Sequence, residues 1–234
     1  MYNSRHAAIK ARGLFAAGSS FPLANPWVVE LESYLEGLAS HEPIPGGGSA
    51  ATLVGAVGAA LAAMVARIAA RNPKHAALHA AAGDAVRRAD ELRTGLTEAG
   101  RRDEAAFAQV VAAQAMERGD AEQARRRKDA LETALGRAAE EPLAAAQLAL
   151  DVLHLTRDVL DIPAPGLASD VGCAAEFARA ALAGSAYNVR VNHRFMHDEV
   201  RIAEQEARLR ACETQGAAAY EAIRSEVAAR LVRA

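Results

Sequence analysis

Asp103 is a carboxylate where a hydrocarbon belongs. Leu92, Leu96, Ala99, Asp103, Phe107 and Val110 recur at steps of three and four, which places them on one stripe of a helix. A carboxylate on an apolar stripe loses hydration, and its pKa rises unless a partner holds its charge. A carboxyl group poised in that way can take a proton and give it back near neutral pH. Two other placements satisfy the same pattern: an aspartate at the end of the stripe that reaches solvent, or one paired with Arg101 or Arg102.

A second set is polar and neutral. Asp170, Ala174, Phe177, Ala181, Ser185, Asn188 and Asn192 also share a helical face. Ser169 or Asp170 suits a helix cap. Asn188 and Asn192, one turn apart, are poor helix formers, and on an inward face they imply hydrogen bonding, either between helices or to the edge of a ligand. The third feature is the run Gly46, Gly47, Gly48, Ser49, ahead of a slim Ala- and Gly-rich segment. "GGGSAA" formally fits a dinucleotide fingerprint, but that motif needs a buried strand before it, and "SHEPIP" is not one. What remains is bare backbone N–H at a helix start, suited to a carboxylate or an electron-rich heterocycle. His193 and His197 have metal-compatible spacing with Asp198 beside them, yet no third ligand is in register, so no metal site is assigned.

The elements that must position these groups are helices. The chain has 234 residues, 51% hydrophobic but only 4% aromatic, so its core must be built from Ala, Leu and Val. Asn25-Pro26 opens a helix to about Ala39, and Pro43 and Pro45 force an extended connector. A second helix runs from the glycines to about Arg71, where Pro73 stops it. A third covers Lys74 to about Met116, weakened by Gly83, Gly95 and Gly100. A fourth runs from about Ala121 to Leu160, bent or divided at Pro142. "DIPAPG" is a loop, and two more helices follow, at about Ala168–Met196 and Asp198–Val232. No alternating strand pattern stands out. The expectation is all-α, one bundle of about six long helices over 26–234, with 1–25 as an N-terminal extension. The small-residue rows Gly55, Ala59, Ala63 and Gly58, Ala62, Ala66 should bury against another helix, either within the chain or across a two-fold axis.

Charge and composition narrow the function. A net charge of −2 gives no electrostatic reason to expect a nucleic-acid surface. The apolar run Ala50–Ala66 is short and rich in Ala and Gly, which argues against a membrane span. Cys173 and Cys212 have no metal or redox spacing and suit a reducing, cytoplasmic setting.

The motifs "PGGGSAATLVGAVGAALAAMVA", "DEAAF" and "SDVGCAAEFARAALAGSAYNVRVN", in this order from about Val28 to Val232, resemble the cyclodeaminase/cyclohydrolase family. That family comprises formimidoyltetrahydrofolate cyclodeaminases and serine-cycle type methenyltetrahydrofolate cyclohydrolases. The resemblance implies a helical homodimer that handles a one-carbon unit between N5 and N10 of tetrahydrofolate, without metal or other cofactor. It implies cyclodeaminase activity first, cyclohydrolase activity as the alternative, and a divergent or non-catalytic ligand-binding dimer as a third reading. It carries the catalytic role to Asp103 and substrate binding to Gly46, Gly47, Gly48, Ser49, Lys74, Asp170, Asn188 and Asn192. Three segments depart from the family pattern: "RNPKH", which keeps only Lys74 of a lysine-rich run, "APGLA" before Ser169, and the histidine-bearing "NHRFMHD".

Overall fold

The computed structural model describes residues 26–162 and 166–232, leaving out the side chains of 26–29, 74 and 75. The expected extension, 1–25, lies outside the described residues, as does the middle of the 161–166 loop. The chain divides between Ser40 and His41. In the first unit the described element is α1, Pro26–Leu38, which opens on its proline, a residue whose missing N–H costs nothing at that position.

The second unit holds α2 (Gly47–Ala70), a 3-10 helix (Pro73–Leu78), α3 (His79–Gln114), α4 (Ala121–Leu160), α5 (Ala168–His193) and α6 (Glu199–Leu231). No strand occurs among the described residues. Each boundary has a local cause. Gly46 caps α2 without a side chain to offer. Asp120 and Gln123 form a reciprocal capping box on α4. The Asp198 carboxylate accepts the Arg201 N–H at the start of α6. Where a long third helix was expected from Lys74, its first residues wind into the tighter 3-10 turn instead.

Short connections make successive helices antiparallel. Gly48 meets Asp103 and Gly55 meets Leu96, so α3 descends as α2 rises. Gly47 faces Asn188, Gly55 faces Ala181 and Gly58 faces Ala174, so α5 also descends. α4 packs on α3 and α5 from the other side, and α6 covers α4 and α5. Leu143, Leu150, Leu153, Leu155 and Leu160 of α4 are buried, as are the alanines of α2 and α5 that face them. The core is the Ala, Leu and Val assembly that the scarcity of aromatics requires.

α2 is long and apolar enough to cross a membrane, yet it is the helix on which α3 and α5 pack, and half of it is buried. Its two small-residue rows are taken up inside the chain: Gly55 lies against Ala181 and Leu96, and Gly58 against the Ala174 carbonyl. What remains outward is a different stripe, with Val57 and Ile68 44% and 41% exposed.

Pro142 neither divides α4 nor ends it. A proline inside a helix leaves the carbonyl four residues earlier without its N–H partner. That carbonyl belongs to Ala138, and the Asn192 side-chain amide of α5 donates to it at 2.9 Å.

Candidate active site

The start of α2 and the facing parts of α3, α4 and α5 enclose a cavity of about 160 Å³. Its wall carries Gly46, Gly47, Gly48, Asp103, Asn188 and Asn192, with Glu104, Phe107, Ala138, Val191 and the Pro43–Ile44 connector completing it. Three sequence features, the glycine turn, Asp103 and the asparagine pair, therefore meet at one end of the bundle although each is far from the others in the chain.

Asp103 lies on the backbone of Gly48. A Cβ at residue 48 would sit 2.1 Å from its Oδ2 atom, so only glycine leaves room for the carboxylate there. Gly47 is less constrained, since its Cβ would make ordinary contact with the Asn188 amide at 3.6 Å. Burial in the wall pushes the Asp103 carboxyl up, and the nearby Glu104 and Glu141 carboxylates add to the effect, bringing it to about 6. The open first turn of α2 pulls the other way, because bare N–H groups at a helix start favour an anion. Neither arginine proposed as a partner takes that role: Arg102 pairs with Glu141 of α4 at 2.9 Å, and no ion pair joins Arg101 to Asp103 among the described residues. Asp103 is half-buried and can hold or release its proton close to neutrality.

The two asparagines are held by backbone carbonyls, Asn188 within its own helix and Asn192 across to α4 as well. Asn188 donates its amide N–H to the Gly184 carbonyl at 2.9 Å. Asn192 donates to the Asn188 carbonyl at 2.8 Å as well as to Ala138. Asn192 thus spends both amide N–H groups on backbone carbonyls and Asn188 spends one, which holds both side chains in place on the cavity wall. Asn192 serves the fold and the site at once, through the carbonyl that Pro142 leaves open.

Three sequence assignments fall elsewhere. Ser49 is buried and its hydroxyl donates to the Gly46 carbonyl at 3.2 Å, so it braces the glycine turn from behind the cavity wall. Asp170 sits in the first turn of α5, eighteen residues from Asn188, or roughly 27 Å along the helix. It shares the face of the asparagines but not their end of the bundle. Lys74 is in the 3-10 helix, and its side chain lies outside the described residues. His193 and His197 do not act together. The imidazole of His193 hydrogen-bonds the Gln205 side chain at 3.0 Å, while residue 197 is past the helix end and its backbone N–H donates to Glu132.

The cavity also holds residues that sequence reasoning did not assign to it. Glu104 was legible as the neighbour of Asp103, and Phe107 as the next position on its stripe. Ala138 carries no sequence signal except Pro142 four residues later.

The model of the formiminotransferase-cyclodeaminase family matches residues 30–211. The chain belongs to that family. A methenyltetrahydrofolate cyclohydrolase of Methylorubrum extorquens is 32% identical over 201 residues, covering 84% of this chain and 97% of that protein. The crystal structure of a formiminotetrahydrofolate cyclodeaminase from Thermotoga maritima superimposes with a TM-score of 0.78 at 24% identity, covering 86% of this chain and 97% of that one. The second likeness bears on the fold, and it is the helical fold described above. Membership makes this chain an enzyme, and the family resemblance read from its motifs is correct.

Proposed function

We propose that this enzyme acts on a one-carbon unit bound to tetrahydrofolate, with Asp103 transferring the protons. The observation that carries the reading is a carboxyl group held near neutrality on the wall of a cavity lined by two oriented amides. In the deamination of 5-formimidoyltetrahydrofolate, N10 attacks the formimidoyl carbon and loses its proton. The aminal nitrogen then takes up protons and leaves as ammonia, so one proton is consumed overall and a methenyl bridge remains. The ionised carboxylate accepts from N10 and the acid form donates to the leaving nitrogen. Its negative charge also favours the cationic methenyl group.

The second reading is hydrolysis of that methenyl bridge to 10-formyltetrahydrofolate, supported by the name of the 32% identical relative. Here Asp103 takes a proton from the attacking water, and the same tetrahedral carbon lies between the same two nitrogens. Neither reaction changes an oxidation state, so neither calls for a redox cofactor.

The cavity is too small for a whole folate, since sites for molecules of that size run to roughly 300–1,000 Å³. It takes the reacting centre, and the rest of the molecule extends outward past the exposed Val191 of the cavity wall. A second copy of the chain covers the outward stripe of α2 (Leu53, Val57, Leu61, Ile68), because a helix so apolar gains by burying that face as well. We place this assembly in the cytoplasm.

Absorbance at the methenyl-folate band, followed with each folate in turn, tests the reaction. Appearance of the band from the formimidoyl compound supports deamination, and its loss from the methenyl compound, beyond the uncatalysed rate, supports hydrolysis. Silence with both sinks the reading. The same preparation should sediment at twice the mass of one chain, and a monomer would remove the dimer from it.

A further inference from the structure

Beside the cavity, one ion pair joins α3 to α4. Arg102 immediately precedes Asp103, and its Nε donates to Glu141 Oε2 at 2.9 Å. Glu141 lies three residues beyond Ala138 of the cavity wall, hence on the same face of α4, and its side chain is only 15% exposed. A carboxylate that far out of water does not reorient freely, and the guanidinium fixes where its charge stands.

We propose that the Arg102–Glu141 pair sets the pH at which the Asp103 site works, Glu141 by repelling a charge on Asp103 and Arg102 by anchoring and partly offsetting Glu141. This deepens the reading of Asp103 as the proton-transfer group and rests on it for its functional consequence. Other charged groups around Asp103 are few among the described residues. On its own helix stand Glu104, in the cavity wall, and the exposed Arg101. From α2 come only the backbone N–H groups of the first turn, and from α5 the neutral Asn188 and Asn192. Arg190 of α5 is held by Glu206 and Glu213, and His193 by Gln205, all on α6. Arg137 and Glu140 of α4 line a separate groove against α6. The Arg102–Glu141 pair is therefore the adjustable element next to Asp103 that does not itself line the cavity.

The test exploits the opposite charges of the two partners. Glu141→Gln removes a repelling charge, so the Asp103 titration should move down by about half a pH unit or more. Arg102→Met removes the offset, so the titration should move up by a similar amount, and Arg102→Lys, which keeps the charge, should restore the original midpoint. The titration is read directly from the carboxyl carbon-13 signal of Asp103, assigned by its loss in Asp103→Asn, and in parallel from the pH dependence of kcat/KM. A pair that merely braces α3 against α4 would lower Tm in both variants and leave the midpoint unmoved. Midpoints that stay put, or that move in the same direction, overturn the proposal. Carbon-13 midpoints that separate as described support it. If the rate profile does not follow them, it is the catalytic role of Asp103 that falls, not the tuning.

Discussion

α2 uses glycine at two places for two different reasons. In its middle, Gly58 lies under α5, where a Cβ would come within 2.9 Å of the Ala174 carbonyl oxygen, and Gly55 is nearly as close to Ala181. There the missing side chain lets two helices touch, and everything around it is dry and apolar. At its first turn, Gly48 lies under Asp103, and the missing side chain makes room for a carboxylate. The surroundings there are a cavity, two amides and an open helix end. One contact stabilises the bundle. The other keeps a carboxyl group partly out of water, which costs stability once it ionises. A helix of nearly uniform composition thus has a packing region and a cavity-facing region, distinguished only by what stands opposite each glycine.

The largest expected effect lies at the cavity end. Asp103→Asn should lower turnover by about two to four orders of magnitude, because the amide keeps the shape but cannot exchange the proton. Stability should change in the opposite sense. A carboxyl raised to about 6 in the folded chain from an ordinary 3.8 is destabilising once it ionises. The penalty is absent below the unfolded value, grows between the two values and is complete above about 6. Asp103→Asn should therefore gain stability at pH 8, by about 1–2 kcal/mol after allowing for partial solvent screening, and gain nothing near pH 3. Denaturant melts at both pH values check the sign. A variant that is less stable at pH 8 and fully active would make Asp103 a structural residue.

The two glycines give a sharper contrast at smaller cost. Gly58→Ala should destabilise by roughly 1–3 kcal/mol through overpacking, with turnover per folded molecule preserved. Gly48→Ala should leave the melt almost unchanged, because the carboxylate can be pushed toward the cavity, but that displacement should cost about a hundredfold in turnover. If each variant showed the other's behaviour, the division of α2 into two regions would collapse.

The smallest effect concerns the link between fold and site. Asn192→Ala strips the Ala138 carbonyl of its donor and should cost about 1–2 kcal/mol. In a Pro142→Ala background the residue 142 N–H supplies that bond again, so the same substitution should cost distinctly less. A double-mutant cycle measures the difference, and strict additivity would mean that Asn192 does not compensate for the proline.

Much of this was legible beforehand. Pro26 and the glycines at 46–48 mark helix starts through backbone chemistry that depends on neighbours in sequence alone, and those boundaries lie within a residue or two of the ones expected. The anomaly at Asp103 was visible because a 3.6-residue period reports a face without reference to other helices. Pro142 left a bend and a break both open for the converse reason, and the helix is unbroken. Whether a proline breaks a helix depends on whether the freed carbonyl finds a donor, and here the donor is fifty-four residues away.

Face, then, was determined by the sequence, and with it the all-helical class and the family. Level along the bundle was decided only by the tertiary structure. Asp170, Asn188 and Asn192 share one side of α5, yet only the asparagines reach the cavity, because the antiparallel register brings the C-terminal part of α5 to the start of α2. The small-residue rows announced a close helix without saying which, and α3 and α5 of the same chain fill that place. A periodic pattern repeats at every turn and so cannot mark one level. Level comes from which side chains of several helices interlock, a property of pairs far apart in the chain.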